Sequence, residues 1–303
     1  MLSKFLPAHL VGAISLSLHI INILIWVPLI LLVALVKFVL PIKIITRLCN
    51  NILNLFASIW ISFNTLIHRF SKDIVWEFNL PQNLSTNDWY LVVANHQSWA
   101  DILALQMAFN RKIPFLKFFL KHQLIWIPVI GLAWWALDFP FMKRHSKSYL
   151  KKYPHRKGED FKTTKKACEK FKNIPISVMN FLEGTRFTKA KQSAQKSPYK
   201  NLLKPKAGGV GYVLSLMGNE INKVINVTIT YPQNASFSSW DFLCGKVKHV
   251  KLDAVVEEVP DQVRGNYIDD PKIRKAMQQW LNQLWQAKDK EIDSIMNQKS
   301  SDK

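Results

Sequence analysis

The chain has 303 residues and a net charge of +20, from 41 Lys and Arg against 21 Asp and Glu. This length suits one large domain or two ordinary ones, and the basic surface suits phosphate-bearing partners, either an anionic membrane leaflet or a nucleic acid. A hydrophobic content of 49% and 11 tryptophans favour the membrane. Because the sequence has no zinc-finger spacing and no RNP-like or Walker-type motif, no nucleic-acid partner is expected. Three distant cysteines, Cys49, Cys168 and Cys244, predict reduced thiols on the cytosolic side and neither a disulfide framework nor a metal site.

The N-terminal segment predicts a membrane helix, because residues 10–36 contain no Asp, Glu, Lys or Arg. About 27 residues form roughly 40 Å of helix, against a hydrocarbon core of about 30 Å, so the segment can span a membrane once. A shallow hairpin bent at Pro28 is the alternative. Positive charge is weak before the segment, at Lys4, and stronger after it, at Lys37, Lys43 and Arg47. By the positive-inside rule, the rest of the chain is expected in the cytoplasm.

Residues 44–67 predict an amphipathic helix, either in the bilayer interface or against the following domain. A helix packed on a soluble core is the alternative. We therefore expect a membrane anchor over residues 1–70 and a second domain over residues 71–303. The apolar side chains of this helix recur every three or four positions: Ile45, Leu48, Ile52, Leu55, Ile59, Phe63 and Ile67.

Beyond residue 70 short apolar runs alternate with helical patterns, which predicts an α/β fold class. The sheet is expected to be mixed and largely parallel and flanked by helices, because two of its strands are uniformly apolar and read as buried. Strands are predicted at 74–78, 89–94, 113–118, 139–142, 174–182 and 224–231 and within 246–259. Helices are predicted at 98–109, 210–217 and 271–296, with a solvated helix inside the basic run 143–172.

A candidate catalytic pair follows the strand at 89–94, at the carboxyl end where open α/β sheets place their ligands. His96 and Asp101 are five residues apart, which on a continuous helix would turn them roughly 140° away from each other. They meet only if His96 lies in the turn and Asp101 lies in the first turn of the helix that Ser98 caps. A histidine backed by a carboxylate is a usual general base near neutral pH. Alternatively, Asp101 only satisfies backbone N–H groups and His96 is an ordinary strand-end residue.

A second polar turn, Glu183-Gly184-Thr185-Arg186, follows the strand at 174–182. Gly184 lets the backbone turn tightly, and Arg186 can hold a phosphate through two parallel hydrogen bonds. Since the carboxyl ends of parallel strands meet at one edge, His96 and Glu183 are expected in one crevice.

Four blocks occur in order between residues 90 and 232: Asn95-His96 with Asp101; Lys121, Pro128, Gly131 and Phe141-Met-Lys-Arg144; Phe181-Leu-Glu-Gly-Thr-Arg186; and Val227-Thr-Ile-Thr-Tyr-Pro232. In this order they resemble the pattern of the PlsC-like glycerophospholipid acyltransferases, such as the 1-acylglycerol-3-phosphate acyltransferases. The chain looks most similar to a bacterial branch with a basic insert between the second and third blocks. It departs from the family pattern at Leu137-Asp138-Phe139 and at Met142-Lys143-Arg144. The departures and the insert bear on the acceptor more than on the type of reaction.

The resemblance implies a fold like that of glycerol-3-phosphate acyltransferase, and it implies a reaction. His96, supported by Asp101, would take the proton from a glycerol hydroxyl, and the alkoxide would attack the thioester of acyl-CoA or acyl-carrier protein. The implied acceptor is most simply 1-acyl-sn-glycerol-3-phosphate, in phosphatidic acid biosynthesis or remodelling. Neither a metal nor a cofactor is implied, and acyl-CoA or acyl-carrier protein serves as co-substrate. The residues implied to hold the acceptor and its phosphate are Lys121, Arg144, Glu183, Gly184, Thr185 and Arg186.

The anchor and the resemblance together predict an enzyme of the bacterial inner membrane, with its catalytic domain on the cytoplasmic face. Membrane lipids, as the lysophospholipid acceptor and as an anionic bilayer surface, are its expected partners. One alternative is a lysophospholipid acceptor with a larger headgroup. Another, of a different class, is a non-catalytic basic membrane protein that binds anionic lipid or RNA.

Overall fold

The computed structural model describes residues 1–142, 152–153, 159–172, 174–234 and 236–298. Its strands are β1 (Val75–Asn79), β2 (Tyr90–Ala94), β3 (Leu116–Phe118), β4 (Leu120–Lys121), β5 (Phe141–Met142), β6 (Ser177–Phe181), β7 (Lys223–Thr230) and β8 (His249–Glu258). Its α-helices are α1 (Ala8–Val39), α2 (Lys43–Ser71), α3 (Ala100–Phe109), α4 (Ile130–Ala136), α5 (Glu159–Phe171), α6 (Lys189–Ala194), α7 (Gly208–Met217), α8 (Ser239–Leu243) and α9 (Pro271–Gln298). Short 3₁₀ helices lie at Leu2–Lys4, His122–Trp126 and Asp261–Val263.

Six strands form one sheet in the order β1-β8-β7-β2-β6-β3, and β4 and β5 form a separate pair. All neighbouring strands are parallel except β7 and β8. The predicted mixed, largely parallel α/β sheet is thus confirmed. β2 lies between β6 and β7, and all five of its residues are buried, as its uniformly apolar sequence requires.

The two faces of the sheet pack against separate helical layers. Alternate side chains of a strand point to opposite faces, so Val92 of β2 joins the core cluster that includes α3, whereas Val93 joins the cluster that includes α7 and α9. The first cluster also contains Ile30 of α1 and Leu53 of α2. The sheet is therefore the middle layer, with the N-terminal helices and α3 on one side and α5, α7 and α9 on the other.

The N-terminal segment forms a hairpin of two long helices. α1 runs without interruption through Pro28, so the bend expected there as an alternative does not occur, and residues 40–42 connect α1 to α2 instead. Both helices are long and apolar enough to cross a membrane, as judged by length and composition. Inside the hairpin the side chain of Asn22 donates to the Asn64 side chain at 2.9 Å and to the carbonyl of Trp60 at 3.2 Å.

Much of the predicted apolar stripe of α2 points away from the protein. Leu48, Leu55 and Phe63 are 58%, 53% and 46% exposed, respectively. The face that packs on α1 and the domain instead carries Leu53 and Ala57, which are 2% and 0% exposed. Because a row of large exposed side chains has no protein partner here, it is typical of contact with lipid.

The boundary expected near residue 70 follows the end of α2 at Ser71. However, the hairpin and the domain share one core: Ile30 and Ala34 of α1 and Ala57 of α2 belong to the same buried cluster as the sheet. The hairpin therefore packs directly onto the α/β domain and is not joined to it only by a linker.

Several elements differ in extent from the sequence prediction. The strand expected at 113–118 is shortened to β3, and the helix expected from Ser98 begins at Ala100. The helix expected inside the basic run is α5. The parts of that run at residues 143–151 and 154–158 lie outside the described part of the chain. The helix α6 was not predicted; Thr188 caps it by accepting from the backbone N–H of Lys191.

We expect Leu281→Ala to destabilise the fold, because Leu281 of α9 is fully buried in the layer beneath the sheet. Removing a buried leucine should lower the free energy of unfolding by about 2–4 kcal/mol. Thermal unfolding of the detergent-solubilised chain, followed by circular dichroism, measures the change. Gln279→Ala, on the exposed side of the same helix, is the matched control. Equal midpoints for the two variants would contradict this packing.

Candidate active site

A buried carboxylate organises the candidate site at the carboxyl end of β2. Asp101, in the first turn of α3, is fully buried. Its Oδ2 accepts from His96 Nδ1 at 2.8 Å and from the backbone N–H groups of Gln97 and Ser98 at 2.6 and 2.9 Å. Its Oδ1 accepts from the hydroxyl of Tyr231 at 2.5 Å. Four donors thus compensate for the removal of this charge from water.

His96 and Asp101 meet as their spacing predicted, with His96 in the turn and Asp101 in the helix. The competing interpretation of Asp101 also describes a real contact, because the same oxygen accepts the backbone N–H groups of the turn. Since that oxygen is an acceptor, Nδ1 of His96 carries the donated proton, and Nε2 is left as the acceptor nitrogen. The imidazole is 16% exposed, so Nε2 can be reached from outside.

The ring of His96 is held on one face by Phe181, the last residue of β6. The two rings stack with centroids 4.0 Å apart and an angle of 15° between their planes. The backbone of His96 is fixed as well, because its N–H donates to Glu183 at 2.8 Å and its carbonyl accepts from Phe187 at 2.7 Å. The imidazole is therefore pre-oriented by contacts that do not involve its free nitrogen.

Glu183 lies behind the site and is fully buried. Its Oε1 accepts from the backbone of His96, and its Oε2 accepts from the backbone of Leu203 at 2.9 Å. Burial raises the pKa of Glu183 to about 7, although these two hydrogen bonds and the Lys288 ammonium act in the opposite direction. The resemblance implied a contact of Glu183 with phosphate. In this structure both of its oxygens are engaged by backbone donors, so it joins the turn after β2 to the loop that precedes α7.

The turn after Glu183 presents the residues that face outward. Gly184 has φ of 67°, in the region that favours glycine, and Arg186 is exposed. The guanidinium carbon of Arg186 lies 5.5 Å from the ring centroid of Trp99, which is 44% exposed. The Lys191 ammonium donates to the Thr185 hydroxyl and to the Arg186 carbonyl, each at 2.9 Å. Two cations thus flank this turn.

The two remaining predicted phosphate ligands are Lys121 and Arg144. Lys121 is exposed in β4, just beyond β3, and the ring of Phe118 in β3 lies 6.1 Å from that of Phe181. Within the described residues no hydrogen bond or ion pair joins Lys121 to His96 or Asp101. Arg144 lies outside the described part of the chain.

Sequence reasoning assigned no role to three residues that shape the site. Tyr231, in the fourth block, is buried, and burial raises the pKa of its hydroxyl well above the ordinary value, so it stays a donor to Asp101. Asn95 bonds the backbone of Ile229 in both directions, each at 2.8 Å, which fixes the end of β2 to β7. Lys191 lies in the unpredicted α6. Tyr231 and Asn95 lie within the four sequence blocks, which was their only signal in the sequence, whereas Lys191 had no signal.

Comparison with known proteins shows which family the chain resembles. The family model described as Acyltransferase matches residues 76–231, which is about half of the chain. The human 1-acyl-sn-glycerol-3-phosphate acyltransferase gamma is 28% identical over 189 residues, covering 59% of this chain and 45% of that protein. The human delta enzyme is 25% identical over 212 residues, covering 66% and 51%. The chain therefore spans about half the length of the curated relatives it matches.

A solved structure supports the fold over nearly the whole chain. The 1-acyl-sn-glycerophosphate (LPA) acyltransferase PlsC from Thermotoga maritima superposes with a TM-score of 0.51 at 16% identity, covering 92% of this chain and 95% of that one. The resemblance found in the four blocks is thus confirmed, whereas the bacterial branch stays a prediction. The chain belongs to the PlsC-like acyltransferase family.

Proposed function

We propose that this protein transfers a fatty acyl group from a thioester to the free hydroxyl of a lysophospholipid, most simply 1-acyl-sn-glycerol-3-phosphate. The observation that carries the proposal is the pair of His96 and Asp101, joined at 2.8 Å with the second imidazole nitrogen left open. A protein that only binds anionic lipid or RNA has no need of an oriented base. The human gamma and delta relatives are both named for the same acceptor, 1-acyl-sn-glycerol-3-phosphate.

The reaction follows from the protonation state of the pair. Nε2 of His96 accepts the proton of the acceptor hydroxyl while the ionised Asp101 stabilises the imidazolium that forms. The alkoxide attacks the thioester carbonyl, an oxygen–carbon bond forms, and the carbon–sulfur bond breaks. The imidazolium returns its proton to the departing thiolate, which leaves His96 neutral. The acyl group passes directly to the acceptor, so no covalent enzyme intermediate is required.

The acceptor's phosphate is assigned to the exposed turn after Glu183. Arg186 offers a planar fork of donors that matches two phosphate oxygens, and Lys191 adds a second positive charge beside it. Lys121 and Arg144 remain proposed ligands from the second block, and Gly184 and Thr185 supply the shape of the turn. Glu183 is assigned to the support of the His96 backbone, because both of its carboxyl oxygens already accept backbone N–H groups.

The hairpin would hold this chemistry at a bilayer. The outward apolar side chains of α1 and α2 suit insertion into lipid, and the net charge of +20 suits an anionic leaflet. We propose the cytoplasmic face of a bacterial inner membrane, with acyl-CoA or acyl-carrier protein arriving from the aqueous side. Both the bilayer lipids and the thioester donor are then partners of the enzyme.

His96→Ala should abolish acyl transfer without unfolding the protein. Loss of a positioned general base lowers kcat by about 10²–10⁴-fold. The measurement is thiol release from a long-chain acyl-CoA, with and without lysophosphatidic acid, by membranes containing each variant. His9→Ala, an exposed histidine of α1, is the matched control and should keep wild-type activity. Acceptor-dependent release that survives in the folded His96→Ala protein would refute the mechanism.

Arg186→Gln should weaken the use of phosphate-bearing acceptors in particular. The loss of a charged bidentate contact is expected to raise KM for lysophosphatidic acid by about tenfold or more, with a smaller change in kcat. The same comparison with monoacylglycerol, which lacks the phosphate, should show little difference between wild type and variant. Lys272→Gln, exposed on α9, controls for the lost charge. An equal loss with both acceptors would mean that Arg186 does not read the phosphate.

Glu183 should make stability depend on pH in a defined window. Its pKa is 4.5 ordinarily and about 7 in the folded chain, so the folded state holds more protons than the unfolded state between these values. The contribution of Glu183 to the free energy of unfolding is therefore greatest below pH 4.5. It falls by up to about 3 kcal/mol as the pH rises from 4.5 through 7. Glu183→Gln removes this ionisation, so its thermal midpoint should change less than that of wild type between pH 5 and 8. Parallel pH profiles for the two proteins would contradict the raised pKa.

A further inference from the structure

A basic cavity lies at the opposite end of the sheet from His96. It has a volume of about 690 Å³, within the range of ordinary ligand sites, and lies between the turn of the hairpin and the catalytic domain. Its lining includes Pro41 at the hairpin turn and Ile174 and Ile176 before β6. His96 follows the carboxyl end of β2, whereas Ile176 precedes the amino end of the parallel strand β6. The length of the sheet thus separates the cavity from the candidate active site.

The cavity carries a strong excess of positive charge. Asp138 is its one acidic lining residue among those described, and five lining residues are cations: Lys37, Lys43, Arg47, Lys117 and Lys170. Asp138 is already used, because it accepts from Lys37 at 2.5 Å and from Lys170 at 2.8 Å. Its backbone has φ of 56°, a conformation that is uncommon for residues other than glycine. Asp138 is one of the residues by which the sequence departs from the family pattern.

Three of the cations have no carboxylate partner. In the part of the chain that the structure describes, Lys43, Arg47 and Lys117 make no ion pair. Lys117 lies over the ring of Phe171 at 5.2 Å, and burial lowers the pKa of its ammonium to about 8. The Asp138 carboxylate acts on Lys117 in the opposite direction, but it is shared with Lys37 and Lys170. An added anion in the cavity would therefore offset the remaining cost of burying the Lys117 ammonium.

The surroundings favour an amphiphile over a water-soluble anion. Apolar side chains share the lining with the cations, among them Leu53 and Phe115. The residues next to Lys37 and Lys43 are large, apolar and exposed: Phe38 is 74% exposed and Ile44 is 80% exposed. If the hairpin sits in a bilayer, these side chains bring the cavity to the level of the lipid headgroups.

We propose that this cavity binds the phosphate headgroup of an anionic phospholipid, at a site separate from the one that holds the acceptor. Arg47 and Lys117 hold the headgroup phosphate, Lys43 lies beside it, and the first part of the acyl chains lies against the apolar lining. The bound lipid bridges the hairpin turn and the catalytic domain. This proposal rests on the association with membrane and not on the chemistry at His96.

Lipid retention by the full chain, purified in detergent, tests the proposal. Native mass spectrometry measures binding of phosphatidylglycerol and of phosphatidylcholine with the same acyl chains, and inorganic phosphate is added as a competitor. We expect saturable binding of phosphatidylglycerol, little binding of phosphatidylcholine and no competition by phosphate. Arg47→Gln with Lys117→Gln should weaken phosphatidylglycerol binding by about tenfold or more.

Three further variants make the test specific. Lys275→Gln with Lys290→Gln removes the same charge from exposed positions of α9 and should leave binding unchanged. Lys43→Gln with Arg47→Gln, both exposed, should weaken binding even if the Lys117 variant folds poorly. Arg186→Gln should leave binding unchanged, which separates this site from that of the acceptor.

Two results would overturn the proposal. Equal weakening by the α9 control would mean that only the overall charge attracts the lipid. Competition by inorganic phosphate would mean that the cavity recognises a soluble anion. Either result would leave the proposed acyl transfer untouched, and loss of activity in His96→Ala would leave this proposal untouched.

Discussion

The burial of the Asp101 carboxylate is the constraint on which the site depends. A charge without contact with water is tolerable only when nearly all of its acceptor positions are filled. Here the donors come from the turn after β2, from the imidazole of His96 and from Tyr231 after β7. The electrostatic need of one side chain thus fixes three parts of the backbone relative to one another, and the orientation of the imidazole is a result of that arrangement.

Glu183 provides a second, different solution for a buried carboxylate. It accepts two backbone N–H groups and, among the residues that the structure describes, no side-chain donor, so its hydrogen bonds offset burial less completely than those of Asp101. Lys288 of α9 donates to the Val227 carbonyl at 2.5 Å, and its positive charge acts to lower the pKa of Glu183. Burial in turn lowers the pKa of the Lys288 ammonium to about 7. The two buried carboxylates thus serve separate purposes: Asp101, in α3, orients the side chain of His96, and Glu183, after β6, holds the backbone of His96.

The features that could be predicted from the sequence are those that depend on neighbouring residues or on a periodic pattern. The spacing of His96 and Asp101, the buried character of β2 and the amphipathic pattern of α2 all follow from neighbouring residues. Tyr231 stands in the fourth block, but its contact with Asp101 could not be predicted, because the two residues are 130 positions apart and only the pairing of β7 with β2 brings them together. The pattern of α2 predicted a helix with two faces but not which face packs on protein, since lipid and a protein core both accept apolar side chains. Leu55 and Leu53 are both leucines on this helix, and only tertiary packing distinguishes them.

The position of Tyr231 along the chain has a consequence for biosynthesis. The hairpin ends at Ser71, so the ribosome completes it long before the residues of β7 and α9 are made. Its apolar surface can meet a bilayer at that stage, while the sheet still lacks the strand that carries the last donor to Asp101. Because the long-range contacts of the sheet form late, the hairpin can meet lipid before the contacts that orient His96 are complete. A nascent chain released early would carry the anchor without a finished site.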